Sequence, residues 1–179
     1  MTARRLRPFG TTIFTEMSAL AARTGALNLG QGFPDTDGPD EVVEAVATAM
    51  RSGFNQYAPL AGVPELRDAI ADHQRWHYNL YVDAQDGIQV TFGATEAIAA
   101  TMLGLLEPGD GVVLLEPFYD SYTAAIAMAG GERRPVTLRP PDFAVDLDAL
   151  AAAAQGARML LLNSPHNPTG RVLTPAELR

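Results

Sequence analysis

Three short stretches carry residue types suited to holding a planar, anionic small molecule. The first is Gly93-Ala94-Thr95, two small residues followed by a hydroxyl. Between a strand and a helix, such a turn lets the backbone approach an anion, and the N–H groups and dipole of the first helical turn favour phosphate. It is not a dinucleotide fingerprint, because Gly-x-Gly-x-x-Gly is absent. The second is Glu116-Pro117-Phe118-Tyr119-Asp120-Ser121-Tyr122, where an aromatic at a strand end can cover one face of a planar ring. The third is Asn163-Ser164-Pro165-His166-Asn167-Pro168-Thr169-Gly170. Two prolines interleaved with two asparagines make a stiff loop able to aim an amide at a ligand oxygen. Each stretch also has a plainer reading: a tight strand–helix connection, a core aromatic (the favoured reading for Phe118 alone), and ordinary turn chemistry.

Other candidates fade. His73 and His77 have metal-ligand spacing on a helix, but position 74 is glutamine and no carboxylate or cysteine completes the set, so no metal site is expected. Asp35, Asp37 and Asp40 read as turn and cap residues. Ser164 lacks a nucleophile elbow. Composition excludes more. All thirteen basic residues are arginine, and there is no cysteine. A Walker-type phosphate loop and a lysine Schiff base are therefore impossible within this chain. Thiolate catalysis, thiolate metal sites and disulfides are excluded as well. The net charge of −8 argues against nucleic acid or an anionic membrane as partner.

The elements that must position these loops follow from pattern. Residues 1–39 read as an irregular N-terminal arm, with Gly30 to Pro39 extended and turned. Asp40 looks like the N-cap of a helix over 41–51, and 64–77 repeats apolar residues at helical spacing. Beyond residue 84 the pattern alternates. A strand is expected at 88–92, a helix from Gly93 to Leu106, and a strand at 112–115 buried on both faces. A helix at 119–129, a strand at 134–138, a short helix from Asp146 or Asp148 and a strand at 159–162 follow. This is an α/β chain, a three-layer sandwich around a mostly parallel sheet. Residues 40–179 read as one partial large domain. Thr174-Pro175-Ala176-Glu177 is a capping box, so a new helix is signalled about one turn before Arg179, and the chain is expected to be truncated there. Arg4, Arg5 and Arg7 lack an apolar stretch behind them, and 97–106 is too short to span a bilayer, so a soluble cytoplasmic protein is expected.

Taken together, six segments resemble a known family. Asn28-Leu-Gly-Gln-Gly-Phe-Pro-Asp35, Asn55-Gln-Tyr-Ala-Pro59 to Gly62, Glu65-Leu-Arg67, Gly93-Ala-Thr-Glu-Ala97, Glu116-Pro-Phe-Tyr119 and Asn163 to Gly170 look like class I/II aminotransferases of fold type I, which use pyridoxal 5'-phosphate. The chain is most similar to the branch with kynurenine and N-succinyldiaminopimelate aminotransferases and cysteine-conjugate β-lyases. The resemblance implies that Gly93, Ala94 and Thr95 hold the cofactor phosphate, Tyr119 stacks on its ring and Asn167 meets its phenolic oxygen. It implies further that Tyr57 reaches the phosphate of the partner subunit in a homodimer. Gly32 would meet the substrate carboxylate and Phe14 would line the substrate pocket.

Family members run to roughly twice this length, and their Schiff-base lysine has no counterpart here. The expectation is the N-terminal part of an enzyme moving an amino group from an amino acid to a 2-oxo acid, of the succinyldiaminopimelate type. This chain alone is expected to be inactive and marginally stable. A carbon–sulfur β-lyase of the same fold and a non-catalytic or split-enzyme module are the alternatives.

Overall fold

The computed structural model describes residues 3–32, 34 and 36–179, so Phe33 and Asp35 of the Asn28–Asp35 segment lie outside the described residues. After a single 3-10 turn (Arg4–Leu6) come three helices, α1 (Ile13–Thr24), α2 (Asp40–Arg51) and α3 (Pro64–Tyr78). Then follow α4 (Gly93–Leu105), β1 (Gly111–Glu116), α5 (Asp120–Ala129), β2 (Glu132–Thr137), α6 (Leu147–Ala154) and β3 (Met159–Leu161). Contacts divide the chain into two compact units, one of Met1–Thr12 with Gly93–Arg179 and one of Ile13–Phe92. That division falls elsewhere than the expected boundary between residues 39 and 40.

The first unit is built on β1. Its neighbours β2 and β3 both run parallel to it, in the order β2-β1-β3, with Leu114 opposite Pro135 on one side and Leu161 on the other. The continuous apolar run Val112-Val113-Leu114-Leu115 is buried along its whole length, as expected of a central parallel strand covered on both faces. Side chains alternate across a strand, so the run feeds two cores. Val112 and Leu114 join Met102 and Leu106 of α4 and Tyr122, Ala125 and Ile126 of α5. Val113 and Leu115 join Val136, Leu138 and Leu173, with Leu150 and Ala153 of α6 packed against them. Helices therefore cover both faces of the sheet. The Asp146 side chain caps α6 by accepting the Ala149 N–H at 2.9 Å, and Arg5 Nε donates to the Met128 carbonyl near the end of α5 at 3.1 Å.

In the second unit three expectations are corrected. The N-terminal arm is not irregular throughout: α1 occupies 13–24, because Ile13, Met17, Leu20 and Ala21 recur at helical spacing until Gly25, at φ +65°, ends the helix. Asp40 is not an N-cap. Pro39 holds that position without a side-chain bond, and Asp40 and Glu41 lie in the first turn, where their charge complements the helix dipole. Residues 88–92 form no strand. The Val90 N–H donates to the Ala61 carbonyl at 3.1 Å, but a strand needs a ladder, and none forms there. Gly62 is held at φ +99° against Val90, where a Cβ would collide with the valine side chain. No helix among the described residues is long and apolar enough to cross a membrane.

Candidate functional site

In a parallel sheet every strand ends on the same edge, and ligands of open α/β sheets bind beyond those carboxyl ends. Two of the three loops read from the sequence lie there directly. Tyr119 follows the last residue of β1 by three positions, and the loop carrying Asn167 follows the adjacent strand β3. The third, Gly93-Ala94-Thr95, was expected to follow a strand and does not. Tertiary contact brings it to the same edge instead: the Thr95 hydroxyl lies 3.4 Å from the hydroxyl of Ser121, in the first turn of α5.

Gly93 opens α4 at φ +78°, a left-handed conformation that L side chains rarely adopt, and a Cβ there would meet nothing within 4 Å. The turn is thus open on the side where a side chain would stand, and its glycine is required by the backbone rather than by crowding. The amides of Ala94 and Thr95 fall in the first turn of α4, where N–H groups have no partner within the helix. Gly93, Ala94 and Thr95 are all exposed. The first turn of α4 thus offers a helix dipole, backbone amides and a hydroxyl, groups that suit a phosphate.

Tyr119 is half-buried against the core formed by α4, β1 and α5. Tyr122 meets it edge-on, with ring centroids 5.7 Å apart and planes at 84°, which fixes the ring without stacking on it. Burial raises the pKa of the Tyr122 hydroxyl, with Tyr119 adding to the effect, so Tyr122 stays neutral.

The 163–170 loop is tied at several points. Asn163 Oδ1 accepts the Asn167 N–H at 2.7 Å, and Ser164 Oγ accepts the Leu173 N–H at 3.0 Å, a structural task for that serine. The His166 N–H donates to the Arg171 carbonyl and the Gly170 N–H to the His166 carbonyl, both at 2.7 Å. Arg171 reaches on to Glu177 Oε1 at 2.7 Å. Glu177 also accepts from the Thr174 amide and hydroxyl at 2.8 Å each, while its own N–H meets Thr174 Oγ1 at 3.3 Å. The capping box is therefore formed, although 175–178 is a turn rather than a helix. The Thr174 amide, the Arg171 guanidinium and the Thr174 hydroxyl hold the Glu177 carboxyl down to a pKa of about 2.

The remaining candidates belong to the Ile13–Phe92 unit. Phe14 is half-buried in α1. Gly32 is exposed, and a Cβ there would meet nothing within 4 Å. The chain leading to it is tied to α1: Asn28 Nδ2 donates to Ser18 Oγ at 3.1 Å, and Ser18 donates to Gln31 Oε1 at 2.9 Å. Tyr57 is fully exposed, at 103%. His73 and His77 bring their ring centroids within 4.4 Å on α3, but no group of three or more metal-ligating side chains forms among the described residues. Sequence reasoning included Ser121 in a candidate stretch but missed its pairing with Thr95, and it missed the burial of His166. A serine in the first turn after a strand end was the available signal for Ser121, and for His166 there was none.

The fold and these three loops define an α/β protein with a candidate site at the carboxyl edge of its sheet. The model of the aminotransferase class I and II family matches residues 24–179, and the chain belongs to that family. A probable N-succinyldiaminopimelate aminotransferase of Mycobacterium tuberculosis is 55% identical over 181 residues, covering 99% of this chain and 46% of its own length. A methionine aminotransferase of Escherichia coli (strain K12) is 47% identical over 174 residues, covering 97% and 45%. The solved N-succinyldiaminopimelate aminotransferase from Mycobacterium tuberculosis matches with a TM-score of 0.94 at 54% identity, over 99% of this chain and 47% of that one. The aspartate aminotransferase from Thermus thermophilus with maleate matches at 0.90 and 34%, over 99% and 48%. The chain spans about half the length of the curated relatives it matches. The parallel sheet with helices on both faces is that of the fold type I aminotransferases.

Proposed function

We propose that this chain supplies the cofactor cradle of a pyridoxal-phosphate aminotransferase that moves an amino group from an amino acid to a 2-oxo acid. The observation that carries the reading is the convergence, at one sheet edge, of a left-handed glycine turn opening α4, an edge-braced tyrosine after β1 and a tied asparagine loop after β3. These fit the three recognisable parts of pyridoxal phosphate. The amides of Ala94 and Thr95 and the α4 dipole would hold the phosphate, with the Thr95 hydroxyl oriented by Ser121. Tyr119 would cover the ring and exclude water from that face, and Asn167 would hydrogen-bond the phenolic oxygen. When bound, the cofactor supplies the electron sink that lets an amino acid give up its α-proton. Gly32 and Phe14 would serve the substrate, and the exposed Tyr57 would reach the phosphate of the partner subunit in a homodimer. The relative at 55% identity supports N-succinyldiaminopimelate as the substrate type.

Calorimetric titration of the 179-residue chain tests this. Pyridoxal phosphate binds at least about tenfold more tightly than phosphate-free pyridoxal, and Thr95→Val narrows that ratio. Because the chain has no lysine, no lysine-linked visible absorbance band and no amino transfer accompany binding. Equal affinity for the two ligands, or turnover by this chain alone, refutes the assignment.

A further inference from the structure

We propose that His166 is a positioning residue that sets the aim of Asn167, an inference that rests on the reading above in which Asn167 meets the phenolic oxygen of pyridoxal phosphate. The two neighbours have opposite fates: His166 is 3% exposed, whereas Asn167 faces solvent. Pro168 biases Asn167, the residue before it, toward extended torsions, but Pro165 fixes only its own φ, so the prolines leave the torsions of His166 undetermined. Hydrogen bonds at His166 supply what the prolines do not. Its N–H and carbonyl form bonds of 2.7 Å with the Arg171 carbonyl and the Gly170 N–H, closing 166–171 into a ring of chain. Gly170 makes that closure possible by adopting φ +73°.

The imidazole adds the third tie. Nδ1 lies 2.8 Å from Thr169 Oγ1, and the same hydroxyl oxygen accepts the Arg171 N–H at 3.3 Å. The side chain therefore ties His166 to Thr169, whose hydroxyl in turn holds the Arg171 amide. Arg171 is anchored in turn by Glu177, so the far wall of the ring is held as well. Asn167, whose own N–H is fixed on Asn163, is carried on a main chain held on both sides. Only its two side-chain torsions remain to be chosen. Losing the imidazole tie leaves the two main-chain bonds in place but loosens the backbone that carries Asn167, and a displaced amide loses its hydrogen bond steeply with angle.

A ligand-paired titration tests the role. Pyridoxal phosphate and 3-deoxypyridoxal 5'-phosphate, which lacks the phenolic oxygen, are titrated into the 179-residue chain and into His166→Ala, His166→Asn, Thr169→Val and Asn167→Ala. His166→Ala and Thr169→Val weaken pyridoxal phosphate by about tenfold, as Asn167→Ala does, and leave the deoxy analogue unchanged. His166→Asn, which can place a polar atom near the Nδ1 position, stays within about twofold of the parent. A merely structural role predicts equal losses for both ligands, and that result overturns the proposal, as does unchanged affinity in His166→Ala. If His166→Ala does not fold, Thr169→Val decides by the same criterion. An unsubstituted chain that binds both ligands equally refutes the Asn167 reading itself, and one that binds neither refutes the cofactor assignment.

Discussion

Two glycines in the same helix should respond to alanine with opposite signs. Gly93 opens α4 at φ +78°, and Gly104 lies in its last turn without such a torsion. A Cβ placed at either would meet nothing within 4 Å, so packing is removed from the comparison and only backbone terms remain. At Gly93 a Cβ in the left-handed region costs about 1–2 kcal/mol. At Gly104 alanine removes conformational freedom from the unfolded chain and stabilises by about 0.4–1 kcal/mol. With a urea slope of about 2 kcal/mol per M, the unfolding midpoint of Gly93→Ala falls by about 0.5–1 M, and that of Gly104→Ala rises by about 0.2–0.5 M. Equilibrium urea unfolding followed by circular dichroism, with slopes required to agree, measures both. A Gly93→Ala midpoint equal to or above the parent refutes the argument, because it would mean that the left-handed turn is not imposed by the fold. The same substitution should also loosen phosphate, since relaxation of residue 93 rotates the amides of Ala94 and Thr95 away from a common target.

Leu114 is wholly buried between α4 and α5, so Leu114→Ala should lower stability by about 2–5 kcal/mol. Leu162→Ala, at a half-exposed position beyond β3, should lose far less, and parity between the two in urea unfolding would contradict the assigned core. Glu177 gives a pH prediction. Its native pKa, depressed to about 2 by the Thr174 amide, the Arg171 guanidinium and the Thr174 hydroxyl, lies below the ordinary 4.5. Its contribution is therefore complete above about pH 4.5 and lost as pH falls toward 2. Glu177→Gln should be less stable than the parent at neutral pH, and the gap should close through that window. A gap independent of pH from 6 to 2 would show that the carboxylate's charge is not what the loop uses.

Much of the site-bearing unit was legible in the sequence, for identifiable reasons. Four consecutive apolar residues at 112–115, short and bounded by Pro108-Gly109 and Pro117, read as a strand covered on both faces, and β1 is that strand. Glycine, proline and asparagine at fixed offsets read as stiff turns because their backbone restrictions are local. The capping box at 174–177 was legible for the same reason. The Ile13–Phe92 unit was less transparent. Helix α1 was hidden because glycine and proline on both flanks outweighed a modest amphipathic pattern. Residues 88–92 misled in the other direction: Ile88, Val90 and Phe92 alternate like a strand, but β structure needs a neighbour to hydrogen-bond, which no local pattern contains.

By itself the sequence determined what chemistry the chain can and cannot supply. Residue types decide that: glycine and threonine for an anion, tyrosine for a ring face, asparagine for an oxygen, and no lysine for covalent attachment. It also determined the class of fold, since the period of apolar residues separates buried strand from surface helix. Only the tertiary structure decided that Thr95 meets Ser121, that His166 is buried while Asn167 beside it is not, and that Arg171 closes on Glu177. Each of these is set by where separate elements come to rest. Spacing along the chain does not encode a contact across 26 positions, such as that between Thr95 and Ser121, until the sheet and its helices have packed.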